Sequence, residues 1–129
     1  MIDLLINRAR SYIFTTAISP ADAAAALAAI AVVDSEEGDA LRARLRSHVD
    51  RIRSGHPTPI IPVLLGDERT AVTASQRLLE LGLLVPAIRP PSVPVGTSRL
   101  RIALSALHTD EQIDRLAVAL ADLDLRSDP

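Results

Sequence analysis

Three arginines lie close together in a stretch of the chain that its own residues make stiff. Arg89 precedes a proline-rich run, residues 90–94, in which the rings fix φ and remove backbone donors. Gly96 then permits a turn, and Arg99 and Arg101 follow it. A guanidinium group is a planar fork of five donors, which suits carboxylate or phosphate. No nucleophile or general base lies beside these arginines, so the residue types favour anion binding over catalysis.

Residues 98–105 alternate in character, as expected for a β-strand with one apolar face. The apolar side chains are Leu100, Ile102 and Leu104, and the intervening ones are Arg99, Arg101 and Ala103. This spacing places Arg99 and Arg101 on the same face. We expect Arg89 and Arg101 to face one pocket. The alternative for Arg101 is an ion pair with a nearby carboxylate, and for Arg99 this alternative is the favoured interpretation.

The elements before and after this strand are predicted from periodicity and from helix start and stop signals. Pro62 inside the first strand predicts an edge position or a bulge. The fold class is α+β: two helices, then a small, mostly antiparallel sheet of about three strands covered on one face by helices. The predicted elements are helices over 1–12, about 20–33, about 36–53 and 68–81, a short β-favouring stretch over 13–17, strands over 60–65, 83–88 and 98–105, and a last helix after Thr109.

Capping residues mark several of these helices. Ser19 with Pro20 opens the Ala-rich helix, and Asp67 opens the helix that ends at Gly82. Thr109, with Gln112 three residues later, forms the pattern of a capping box. In the helix over 68–81, the spacing predicts that Ala71, Ala74, Leu78 and Leu81 face inward.

Composition excludes several classes of function. The net charge is −2, acids and bases are interspersed, and only 2% of the residues are aromatic. The chain therefore lacks both a basic face and stacking platforms for nucleic acid, and it has no polybasic membrane anchor. There is no cysteine, and His48 has no second ligand at helical spacing, so we predict no metal site. His108 is predicted to be a hydrogen-bonded structural residue. With no apolar run long enough for a membrane span, the predicted location is cytoplasmic.

The segment Ala87-Ile88-Arg89-Pro90-Pro91-Ser92-Val93-Pro94 resembles the C-terminal signature of the α-oxoamine synthases. These are pyridoxal-phosphate enzymes of fold type I that condense an amino acid with an acyl-CoA, and the arginine before the prolines is typical of their biotin-pathway branch. The resemblance implies a C-terminal small domain over 19–129, preceded over 1–18 by an interface helix and a strand remnant of the large domain. It also implies decarboxylative condensation of L-alanine with a pimeloyl thioester, in a homodimer.

The same resemblance assigns roles to individual residues. Arg101 matches the arginine that clamps the α-carboxylate of the amino-acid substrate, and Arg89 matches a position close to the substrate. Thr15 matches a hydroxyl that reaches across the dimer interface to the partner's cofactor phosphate, with Thr16 as the second choice. The alternative is that both threonines only satisfy backbone groups at a turn.

All fourteen basic residues are arginine. A Schiff base to pyridoxal phosphate needs a lysine amine, so this chain alone is predicted to be inactive. In the family, that lysine lies upstream of the segment that matches this chain. The family also has a further strand where this chain has only the connection from Gly55 to Thr58. Three alternatives stay open: a free-standing module that binds small carboxylates through Arg89 and Arg101, a fragment of another α-oxoamine synthase, and a degenerate fragment without activity.

Overall fold

The computed structural model of the protein describes residues 1–10 and 17–123. The chain divides into two compact units, Met1–Asp39 and Ala40–Pro129. The helices are α1 (Ile2–Arg8), α2 (Pro20–Val33), α3 (Glu36–Ile52), α4 (Glu68–Glu80) and α5 (Asp110–Asp122), and the strands are β1 (Ile60–Gly66), β2 (Ala87–Ile88) and β3 (Ser98–Ala103).

The first unit contains α1, α2 and the beginning of α3. As predicted, Ser19 caps α2: its hydroxyl accepts a hydrogen bond from the backbone N–H of Asp22, and Pro20 occupies the first turn. No residue of α1 or α2 is buried. None of the helices in the described ranges is both long enough and apolar enough to span a membrane.

A tight junction joins α2 to α3. Ser35 caps α3, because its hydroxyl accepts from the Gly38 N–H at 3.2 Å. A Cβ added at Gly38 would lie 2.4 Å from the carbonyl oxygen of Val32 and 2.6 Å from that of Val33. Both contacts are with backbone atoms, so this junction requires glycine.

The second unit is built on an antiparallel three-stranded sheet with the order β1-β3-β2. β1 is an edge strand within this sheet, as Pro62 predicted. Pro62 pairs with Arg101, and the hydrogen bond from Leu104 N–H to the Pro59 carbonyl shows that this pair is of the type that is not hydrogen-bonded. The nitrogen of Pro62 therefore points away from β3, where its missing N–H leaves no gap in the ladder.

One face of the sheet is covered by helices. Leu100 and Ile102 of β3 are fully buried, as the alternation predicted. They join one core with side chains of α3, α4 and α5. The buried members of that core are Val49, Ile61, Ala74, Leu78, Val85, Leu100, Ile102, Leu104, Ile113, Leu116 and Ala119. The predicted α+β arrangement, with helices on one face of a small antiparallel sheet, is confirmed.

Several details differ from the sequence-based expectations, among them the ends of two elements: α1 ends at Arg8 rather than at 12, and β3 ends at Ala103 rather than at 105. Leu81 is 53% exposed, because it lies beyond the last residue of α4, where the helical periodicity no longer applies. The strand expected over 83–88 is reduced to Ala87–Ile88. Pro86 accepts a hydrogen bond from Arg101 N–H through its carbonyl but has no N–H to return, so the ladder stops there.

Candidate functional site

The candidate site is the open face of the sheet, where β3 presents its polar side chains. β3 runs from Ser98 to Ala103 and alternates buried with more exposed residues. Ser98, Leu100 and Ile102 point toward the helices, which leaves Arg99 and Arg101 on the opposite face. β3 is the central strand, so the backbone that carries Arg101 is held by β1 on one side and by Pro86 on the other.

The three arginines differ in what already occupies them. The Arg99 Nε donates to the Thr97 carbonyl at 3.0 Å, and the Arg89 Nη1 donates to Glu68 Oε1 at 2.5 Å. Among the described residues, the Arg101 guanidinium has no hydrogen bond or ion pair. The ion pair considered as an alternative for Arg101 is therefore not found within these ranges. Of the three groups, Arg101 is the one whose N–H donors are all unused among the described residues.

Arg89 and Arg101 have different surroundings. Arg89 follows the last residue of β2, where the strand alternation no longer gives its direction, and it forms an ion pair with Glu68, in the first turn of α4. Arg89 lines a cleft whose lining does not include Arg101. The expectation of one pocket shared by Arg89 and Arg101 is not met, and the geometry gives no support to a ligand held by both.

The cleft beside Arg89 is balanced in charge. It is lined by Asp67, Glu68, Arg69, Val72, Thr73, Gln76 and Arg89. The Asp67 carboxylate caps α4 and accepts from the Thr70 backbone N–H at 2.8 Å and from the Thr70 hydroxyl at 3.1 Å. These bonds lower the pKa of Asp67 below its ordinary value of 3.8, so the carboxylate is ionised at neutral pH. Two carboxylates offset the two guanidinium groups, which disfavours binding of an anion here.

Thr15 and Thr16, the predicted cofactor-binding residues, lie outside the described residues. His48 and His108 each form a hydrogen bond with the backbone of Ser105. The His48 ring is buried, with Nδ1 3.1 Å from the Ser105 carbonyl oxygen and Nε2 3.5 Å from Asp110 Oδ1. His108 Nδ1 accepts from the Ser105 N–H at 3.1 Å, as expected for a hydrogen-bonded structural residue.

Sequence reasoning missed the partner of Arg89. Glu68 is 21 residues away in the chain, and only the packing of α4 on the sheet brings it close. The one available signal was that Glu68 occupies the first turn of a predicted helix directly after its cap, next to the end of β1.

A central strand with helices behind it and an unoccupied arginine in front defines an α+β domain that presents an anion-binding group from one face of its sheet. The chain belongs to the family of aminotransferases of class I and II, whose family model matches residues 1–120. It is 47% identical to 8-amino-7-oxononanoate synthase of Marinobacter nauticus and 46% identical to that of Geobacter sulfurreducens, over 94% of the chain in both cases. The chain spans about a third of the length of these relatives.

Solved structures show the same fold. Serine palmitoyltransferase of Sphingomonas wittichii matches 95% of this chain with a TM-score of 0.73 and 33% identity, and 33% of that protein is covered. The 8-amino-7-oxononanoate synthase of Francisella tularensis matches 95% of this chain with a TM-score of 0.66 and 26% identity, and 37% of it is covered. A serine palmitoyltransferase of S. paucimobilis with a bound PLP–myriocin aldimine matches with a TM-score of 0.72 and 29% identity, covering 94% of this chain and 33% of that protein.

Proposed function

We propose that this chain is the substrate-carboxylate-binding part of an 8-amino-7-oxononanoate synthase. The whole enzyme would condense L-alanine with a pimeloyl thioester, with loss of CO2, in the cytoplasm. The observation that carries the proposal is the identity of 46–47% with synthases of that name over nearly the whole chain. The motif around Arg89, with its proline-rich run, supports this branch of the family.

In this proposal, Arg101 binds the α-carboxylate of the amino acid. Its guanidinium has no partner among the described residues, it lies on the open face of the sheet, and its backbone belongs to the central strand. A planar donor fork on a stiff strand can hold a carboxylate through two parallel hydrogen bonds. This contact would orient the substrate's Cα–H bond, a positioning effect that needs no change in the protonation of Arg101. From the resemblance alone, Arg89 is also proposed to lie close to the substrate, although the cleft that it lines with Glu68 does not include Arg101.

Pyridoxal phosphate is the proposed cofactor of the whole enzyme, where it would supply the electron sink for the chemistry at Cα. The residues of this chain do not fit covalent attachment, because the chain has no lysine. The proposed contact from this chain is the Thr15 hydroxyl, or that of Thr16, with the cofactor phosphate of the partner subunit in a homodimer. The chain by itself is proposed to be inactive.

A chimeric enzyme tests the proposal. The segment of the M. nauticus synthase that this chain matches would be replaced by this chain, and CO2 release from L-alanine and a pimeloyl thioester would be measured. We expect activity in the chimera, and a kcat/KM for L-alanine lower by at least about 30-fold in Arg101→Gln, since leaving one partner of a charge pair alone costs about 2 kcal/mol or more. Arg99→Gln is the matched control, because Arg99 is bound to the Thr97 carbonyl.

The contrary results are distinct. A folded, PLP-binding chimera with no condensation activity would overturn the proposed reaction. Equal losses in Arg101→Gln and Arg99→Gln would overturn the role of Arg101 alone. In a second experiment, the chain by itself would be mixed with pyridoxal phosphate and treated with borohydride, and mass spectrometry should detect no side chain that carries the reduced cofactor.

A further inference from the structure

A gap opens in the sheet beside the second half of β3. Arg101 N–H donates to the Pro86 carbonyl at 3.0 Å, so the odd-numbered residues of β3 direct their backbone groups toward β2. Ala103 is the next residue of this series, but β2 pairs only with Arg99 and Leu100. Among the described residues, the Ala103 N–H has no hydrogen-bond acceptor. A backbone donor therefore faces the space between β3 and the segment 82–85.

This space is a cavity of about 350 Å3, which is at the lower end of the range for small-molecule sites. Its walls are apolar and rigid, since Val85, Ile102, Ile113 and Leu116 all belong to the buried core. Besides the backbone N–H of Ala103, the polar groups in its lining are the side chains of His108, Gln112 and Arg115. All of these residues lie in the second unit, and none of them belongs to the arginine face described above.

The polar side chains of the cavity have donors left over and acceptors already used. His108 Nδ1 accepts from the Ser105 N–H, so the neutral ring carries its hydrogen on Nε2. Gln112 Oε1 accepts from the Thr109 N–H in the capping box, which leaves both amide hydrogens of Gln112 unused. Arg115 uses Nη2 for the Leu81 carbonyl at 2.9 Å and retains its other N–H groups.

We propose that this cavity binds the carboxylate of a short aliphatic acid. The carboxylate would accept hydrogen bonds from the Ala103 N–H, His108, Gln112 and Arg115, and the hydrocarbon chain would lie against the core. An ionised carboxylate accepts hydrogen bonds and donates none, which matches a polar lining whose free groups are donors. A protonated amine of the same length has only N–H donors, which cannot pair with the donors of the lining. An alcohol has no negative charge for Arg115 to bind.

The test uses the full chain and hexanoate as the probe. Binding would be measured by isothermal titration calorimetry and by shifts of the Ala103 and His108 amide signals in NMR spectra. Gln112→Glu retains the capping box, since glutamate serves at this position as well as glutamine, and places a negative charge at the cavity. Gln76→Glu, at an exposed position of α4, is the matched control with the same change in chemistry.

We expect saturable binding of hexanoate to the wild-type chain and to Gln76→Glu, and binding at least tenfold weaker to Gln112→Glu. Hexanol, hexylamine and inorganic phosphate should each bind the wild-type chain at least tenfold more weakly than hexanoate. Equal binding of hexanoate to both variants would overturn the proposal, as would equal binding of hexanol. If hexanoate produced no saturable shift of the Ala103 signal, the cavity would not be its site. The NMR spectrum of each variant also reports directly on whether it is folded.

Discussion

We expect the outer edge of β1 to remain unpaired because three residues block it, and we expect a second copy of the chain to pair there when they are replaced. Ile60 and Pro62 direct their carbonyl groups away from β3. The Thr58 hydroxyl donates to the Ile60 carbonyl at 3.0 Å, and Arg53 Nη1 donates to the Pro62 carbonyl at 3.2 Å. Pro62 itself offers no N–H. Exposed edges in natural proteins are protected by such devices.

The size of the effect follows from the register. In an antiparallel pair of β1 strands centred on residue 62, the triple variant Arg53→Ala, Thr58→Val, Pro62→Val would allow two hydrogen bonds between the two residues 62. It would also allow two from Leu64 N–H to the freed Ile60 carbonyl. At about 1 kcal/mol each, about four bonds contribute about 4 kcal/mol, or about three orders of magnitude in the dissociation constant of the dimer.

Sedimentation velocity over a range of concentrations measures this dissociation constant. The control is Arg77→Ala with Thr73→Val, which repeats the Arg→Ala and Thr→Val changes on exposed positions of α4. The single variants should each produce a smaller shift, with the largest from Pro62→Val, because it alone adds a donor. A dissociation constant for the triple variant within about threefold of the control would refute the reasoning, since four such bonds are expected to change it far more.

Asp67 and Gly38 are two further positions where the structure predicts a measurable response. Hydrogen bonds from Thr70 lower the pKa of Asp67 in the folded chain, so its stabilising contribution is present above its ordinary pKa of 3.8 and is lost as the pH falls through the folded value. Asp67→Asn keeps a capping oxygen but has no charge, so the stability difference between wild type and variant should shrink below about pH 4 in urea unfolding. A difference independent of pH would contradict this. Gly38→Ala would ordinarily stabilise a helix by about 1 kcal/mol, but its Cβ would lie 2.4 Å from the Val32 carbonyl oxygen. We therefore expect faster amide exchange at the start of α3, with Ser47→Ala as control, and slower exchange would show the reasoning to be wrong.

Local signals in the sequence were sufficient for most of the fold. The caps at Ser19, Asp67 and Thr109 each bond as predicted, because a capping side chain acts on backbone groups two or three residues away. The alternation in β3 predicted its buried face, because neighbouring side chains of a strand point to opposite faces. The predicted boundary between 18 and 19 and the assignment of the site residues stay predictions.

The structural features that the sequence did not predict depend on contacts between distant residues. β2 begins late because Pro86 lies opposite Arg101. Predicting this would require knowledge of the register between the two strands. The ion pair of Arg89 follows from how α4 lies on the sheet, so a motif that joins Arg89 to Arg101 in the sequence did not predict that the two residues line different surroundings. The cavity beside Ala103 is a consequence of the same shortened strand.

The two faces of β3 can change independently during evolution. Leu100 and Ile102 pack in the core, whereas Arg99 and Arg101 are not part of it. Substitutions of the arginines can therefore change what the strand binds without changing the packing of the core. The same arrangement makes insertions dangerous. One extra residue between Gly96 and Leu100 that shifted the register would turn the arginines inward and the aliphatic residues outward, and both properties would be lost in a single event.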